Sequence, residues 1–270
     1  MQTTANLWEV LCRDLELERQ TAKAEQYHEI ATRFVQSARQ VLRADSPRLC
    51  DAVEIAGDIH QAARQYADAA SSFEEAFQKS LKFETAATSA RLAAKLALLY
   101  DRLRDPDRAR EYFEKALSLY DQAQDHSQHV MLLNQLGALC RKERNYGAAE
   151  KYYTRALEAA MALHGTSHPE VSTALNNLGV ACTETRDFVR AESYHMQALA
   201  IRETSYGAMH PEVAQSMANL AVVYHAMKNL TKAQSFYSGA LKIYKRFRSA
   251  DDPEMQTVQE NYDALLRKLG

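Results

Sequence analysis

The phrase HPEVSTALNNLG at residues 168–179 returns as HPEVAQSMANLA at 210–221 and, more faintly, as DPEMQTVQENYD at 252–263, 42 residues apart each time. A chain that repeats itself at an interval of this length is built from stacked supersecondary units, because each unit alone cannot bury its apolar face and its neighbours supply the missing surface. What such an array offers a ligand is an extended face rather than a single pocket.

The repeat can be followed outward from its small residues. Leu178-Gly179 matches Leu220-Ala221 downstream and Leu136-Gly137 upstream at 42, and Leu96-Ala97 and Ala56-Gly57 continue the series at 40. Twelve residues after each pair stands an alanine (Ala69, Ala109, Ala149, Ala191, Ala233), and seven residues later another (Ala76, Ala116, Ala156, Ala198, Ala240). Between the two alanines falls a ring: Phe73, Phe113, Tyr153, His195 or Tyr237. Small residues let two antiparallel helices approach closely, and the ring fills the space beside their crossing. The unit is therefore a helical hairpin, with its turn at RQY, RDP, RNY, TRDF or KNL. Pro169 and Pro211 stand where a helix begins, since a first-turn proline lacks only a donor that had no partner, and Glu170 and Glu212 suit the positive helix end. Gly165 and Gly207 suit the preceding C-terminus.

Composition agrees with this reading. The 270 residues include only 8 Gly and 5 Pro, with abundant Ala, Leu, Glu, Arg and Gln and little β-branched alternation, so an all-α chain without a sheet is expected. A net charge of −2 gives no general pull toward nucleic acid. Charges at Arg13, Asp14, Glu16 and Glu18 break any secretory core, and no run of about 18 apolar residues occurs, which predicts a soluble cytoplasmic protein. The four cysteines, Cys12, Cys50, Cys140 and Cys182, form no C-x-x-C pair and read as buried thiols.

The spacing resembles the tetratricopeptide repeat over residues 50–270. That resemblance implies a solenoid of helical hairpins wound as a right-handed superhelix, with five repeats across 50–255 starting near 50, 90, 130, 172 and 214, and a capping helix at 256–270. Residues 1–49 fit a divergent N-terminal hairpin, although the stretch ELERQTAKAEQYHEIATRFVQSARQVLR carries no turn signal and also suits one long helix. The HPEV phrases, the 42-residue period and QALAIRE at 197–203 are further similar to the repeats of kinesin light chains. Without a heptad region or a long tail, the chain is close in pattern to the minimal kinesin-light-chain-like proteins of bacteria, some of which accompany bacterial tubulins. The implied function is a noncatalytic adaptor that holds a protein or extended peptide, with a tubulin-type filament as one partner; the alternative is a peptide-sensing regulator that closes its groove on a short ligand.

Two sets of residues are candidates for contact. The first helices place Asn134, Gln135, Asn176, Asn177, Asn219 and Asn261 off their apolar stripe, where amides that both donate and accept suit a peptide backbone or tie one repeat to the next. Arg91 and Lys95 extend that face with positive charge toward an acidic ligand. A chaperone-type carboxylate clamp is not expected, because Glu54 and Asp58 stand where it needs Lys and Asn. The second set is a basic edge, Lys242, Lys245, Arg246 and Arg248 in LKIYKRFR, which suits an acidic protein or an anionic lipid surface. No cofactor is implied, no nucleotide, hydrolase or zincin motif occurs, and acid pairs such as Glu74-Glu75 read as solvated faces. No metal site is expected either: His168 and His210 sit in separate joints, and Gly165 is expected to keep His164 and His168 apart.

Overall fold

The computed structural model describes residues 8–16, 26–44, 46–249 and 251–269. Among them every regular element is a helix: α1 (8–16), α2 (Tyr27–Val41), α3 (Pro47–Ala62), α4 (Tyr66–Phe83), α5 (Ala86–Arg102), α6 (Pro106–Ala123), α7 (His126–Lys142), α8 (Tyr146–His164), α9 (Pro169–Glu184), α10 (Phe188–Tyr206), α11 (Pro211–Ala226), α12 (Leu230–Phe247) and α13 (Pro253–Leu269). The odd-numbered helices from α3 to α11 start three or four residues ahead of the core positions from which the repeats were counted. In α3, α9 and α11 the extra turn opens on a proline and already carries one core residue, Leu49, Val171 or Val213.

The chain divides into two compact units, Met1–Leu132 and Leu133–Gly270, each a set of packed hairpins. In the first, α3 lies against α4 and α5 against α6; in the second, α9 lies against α10 and α11 against α12. The crossings are as tight as the small residues demand. All ten second-helix alanines of the repeat have no exposed surface. A Cβ added at Gly57 would stand 2.6 Å from the Phe73 ring, one at Gly137 2.5 Å from Tyr153, and one at Gly179 2.6 Å from His195. These rings are buried and cannot retreat, so overpacking there costs about 1–3 kcal/mol.

Each hairpin turn has one construction. The second residue after the first helix takes a left-handed conformation at Arg64, Arg104, Arg144, Arg186 and Lys228, with φ between 60° and 63°. Its successor sends its N–H back five residues, Asn145 to the Cys140 carbonyl at 2.8 Å and Asp187 to Cys182 at 2.8 Å, the 6→1 bond of a Schellman closure. In four of the five turns that successor also caps the second helix: Asp105, Asn145, Asp187 and Asn229 accept through their side chains from the N–H groups of Arg108, Ala148, Arg190 and Lys232, whereas Gln65 makes no such bond. One dipeptide thus ends a helix and begins the next.

At the N-terminus the Trp8 and Phe34 rings lie 6.2 Å apart. One continuous helix would separate them by about 39 Å, so α1 and α2 are distinct helices packed on each other; residues 17–25, where the expected turn of the N-terminal hairpin falls, lie outside the described residues. Leu15 shares a core with Ile30 and Phe34 of α2 and Leu49 and Ala52 of α3. At the other end Val258 and Leu265 of α13 complete the core of α11 and α12. Among the described residues, no helix is long and apolar enough to cross a membrane, and all four cysteines are free thiols.

Candidate functional site

In the second unit the amides of the first helices form a linked series. Asn177 Nδ2 donates to Asn134 Oδ1 at 2.9 Å, and one repeat further on Asn219 Nδ2 donates to Asn176 Oδ1 at 2.8 Å. Asn176 is buried and also meets His195 Nδ1 at 3.2 Å, so it belongs to the hairpin core. Asn177 and Asn219 are half-buried, and each keeps its Oδ1 without a protein donor. Gln135, beside Asn134, has a buried Oε1 that receives no hydrogen bond. Asn261 of α13 is half-buried and joins neither link. The series therefore ties repeats together and still presents the Oδ1 acceptors of Asn177 and Asn219; each tie uses one of the two N–H donors of its amide.

In the first unit, Arg91 and Lys95 are less available than their charge suggests. Arg91 grips both Glu54 oxygens, with Nη2 at 2.8 Å from Oε2, and Lys95 Nζ lies 2.8 Å from Glu54 and 2.7 Å from Asp58. Burial opposes ionisation of Glu54, but the hydrogen bonds from Arg91 and Lys95 outweigh it and hold its carboxyl below the usual range. Two cations face two carboxylates, so this stretch presents a neutral surface. An acidic ligand segment meets no net positive charge there.

The basic edge divides in the same way. Lys242, Lys245 and Arg246 are exposed at i, i+3 and i+4 of α12, beside Phe247, which is 51 % exposed. Arg248 is not part of this patch. It pairs with Asp252 at 2.9 Å and Glu254 at 2.8 Å and lies over the Tyr244 ring, fastening α12 to α13.

The histidines of the repeated phrase act first as caps. His168 Nδ1 accepts from Glu170 N at 3.3 Å, and His210 Nδ1 from Glu212 N at 3.2 Å. The expectation that Gly165 would separate His164 from His168 is overturned: their rings stack at 4.0 Å. Gly165 takes φ +81° and folds the chain back over the end of α8, which returns the capping imidazole to the ring it was expected to leave. Tyr206 and His210 stack likewise at 4.5 Å. Sequence reasoning also missed Arg202, 2 % exposed, which donates to Ser172, to the Glu212 carbonyl, to Gln215 and to Ser216, and pairs with the Glu212 carboxylate at 2.9 Å. The signal was present: Ser172 and Ser216 are polar residues at positions where the repeat packs its first helices.

The repeat and the fold have parallels among known proteins. A tetratricopeptide repeat model matches residues 128–204 and 185–246, and another matches 90–122. No curated protein matches the sequence significantly. Among solved structures, BtubC (BKLC) from P. vanneervenii is 29% identical, with 83% of this chain and 92% of that chain covered and a TM-score of 0.70. The kinesin light chain TPR-like repeat protein of Podosopora anserina is 17% identical over 76% of this chain and 99% of its own, with a TM-score of 0.62. Aspartyl phosphate phosphatase F from Bacillus subtilis is 16% identical over 99% of this chain and 73% of its own, with a TM-score of 0.70. The last two are likenesses of fold alone.

Proposed function

Because the chain belongs to the tetratricopeptide repeat proteins, we propose that it is a noncatalytic adaptor that holds an extended segment of another protein against the amide series of its second unit. One observation carries this reading: after the repeats are tied, the free Oδ1 acceptors of the half-buried Asn177 and Asn219 remain at equivalent positions of the first helices α9 and α11. Acceptors in register with the helices suit the N–H groups of an extended backbone, without demanding a sequence.

The partner we propose is a tubulin-type filament. The joints are similar to those of kinesin-light-chain-like proteins of bacteria, some of which accompany bacterial tubulins, and the likeness to BtubC supports this choice. Tubulin-type filaments are acidic, and the three unpaired cations at Lys242, Lys245 and Arg246 give this slightly negative chain one surface to meet them.

Co-sedimentation with such filaments tests both parts. Screening shortens from about 10 Å at 0.1 M salt to about 3 Å at 1 M, so the bound fraction should fall with salt and after reversal of Lys242, Lys245 and Arg246. Asn177→Ala with Asn219→Ala should reduce binding separately at low salt, while the melting temperature stays within a few degrees. Absence of sedimentation at low salt eliminates the filament. Normal binding by the double alanine variant moves the contact off the amide face.

A further inference from the structure

The two copies of the repeated joint differ at the residue that neutralises its glutamate. In the joint between α10 and α11, Glu212 is paired with the fixed cation of Arg202, while Tyr206 lies on the capping His210. In the joint between α8 and α9 the equivalent positions, 42 residues earlier, are Ala160 for Arg202 and His164 for Tyr206, with His168 and Glu170 retained. The fixed cation has gone and a second imidazole has come in.

The consequence is visible at Glu170. Its Oε2 is shut off from solvent and receives no aligned hydrogen bond, although it faces His164 Nε2 at 3.2 Å. An ionised oxygen removed from water without a donor is costly and calls for a cation. One nitrogen from each of His164 and His168 and one carboxylate oxygen of Glu170 lie within 4.8 Å of one another.

We propose that His164, His168 and Glu170 bind a divalent transition-metal ion, with zinc the best match. Two imidazoles and one carboxylate are the donor set that zinc takes in three-ligand sites, with the fourth tetrahedral position left to water. Ligands at about 2.0–2.2 Å on a tetrahedral ion stand roughly 3.4 Å apart, close to the 3.2 Å already found between His164 Nε2 and Glu170 Oε2. The stacked rings, inclined at 20°, do not aim their lone pairs at a common point, so His164 must turn about its side-chain bonds. It stands at the surface end of α8, where that turn is unhindered by core packing. Ligation through His168 Nδ1 would displace the cap that this nitrogen accepts from Glu170 N, whereas ligation through Nε2 would leave it in place. Metal binding would thus clip the end of α8 to the start of α9 and fix the angle of that joint; the joint between α10 and α11 is held permanently by Arg202.

The test is zinc titration of the full chain, free of any histidine tag, by calorimetry and by thermal melting with and without chelator. One equivalent should bind and raise the melting temperature, and chelator should reverse the shift. His164→Tyr reproduces the ring stack of the other joint; it should abolish zinc binding while leaving the metal-free melting temperature unchanged. Loss of even an outer-shell partner costs about 10–100-fold in metal affinity, so Glu170→Gln should weaken binding at least tenfold. Failure to bind one equivalent overturns the site. So does undiminished binding by His164→Tyr, which would place the ion on other histidines or thiols.

Discussion

His195 occupies the place that Phe73, Phe113, Tyr153 and Tyr237 fill in the other repeats, and at 1 % exposure it is as buried as they are. Burial, with Arg202 nearby, lowers its pKa to about 4, against a smaller opposing hydrogen bond at Gly179. The unfolded chain, with an ordinary histidine near 6.5, therefore binds a proton that the folded chain refuses between pH 6.5 and 4. Stability is full above that window and falls as pH drops through it, by roughly 3 kcal/mol at most. His195→Phe should flatten this slope, read as unfolding free energy against pH for both proteins; equal slopes would show that the imidazole is not the group that titrates. The ring position itself was legible in the sequence, because rings and alanines recur at fixed intervals. Its partners were not: Asn176 reads as an exposed amide in the pattern, yet it is buried and bonded to His195. A side chain just off the apolar stripe can face either the neighbouring hairpin or solvent, and only the packing of the next hairpin decides.

At the scale of the element, helix starts were legible because chemistry marks them: Pro169 and Pro211 open α9 and α11 as their missing donors require. The turns were recognised from Asn and Asp, but the residue under conformational strain is the Arg or Lys before them, in a region that favours glycine. A cation there is explained by the helix it ends, whose C-terminal carbonyls carry partial negative charge. The two effects separate in a pair of variants. Arg186→Gly and Arg186→Ala both remove the charge, and only alanine keeps a Cβ at positive φ. The glycine protein should be the more stable by about 1 kcal/mol in denaturant unfolding. Equal stabilities would mean that the turn relaxes away from the left-handed form. The histidine caps were the illegible part of the joints, since imidazole is an uncommon N-cap and the phrase HPE points first to its proline and glutamate.

For the molecule as a whole, repetition made the fold readable long before any single contact could be, because five weak matches in register constrain more than one strong motif. The same repetition leaves α11 and α12 with an apolar face that the next element must cover. Helix α13 supplies the cover. Val258 is 5 % exposed and Leu265 fully buried, both in the cluster that contains Val213, Leu220, Tyr237 and Tyr244, while Gln256, Glu260, Arg267 and Lys268 face outward. Polar ties fix its angle: Glu254 accepts from Gln215 at 3.2 Å and from Tyr244 at 3.0 Å, and Arg248 holds Asp252. Burial of two such side chains is worth about 3–6 kcal/mol, an amount comparable with the whole stability of a small domain. In an array whose stability is a sum of repeats and nearest-neighbour interfaces, that loss should be local before it is global. Truncation after Ser249 should therefore strip hydrogen-exchange protection from α11 and α12 first, with α9 and α10 affected less and residues 47–123 hardly at all. Uniform loss along the chain would mean that the array unfolds as one cooperative block, and unchanged protection in α11 and α12 would mean that α13 does not serve as the cap.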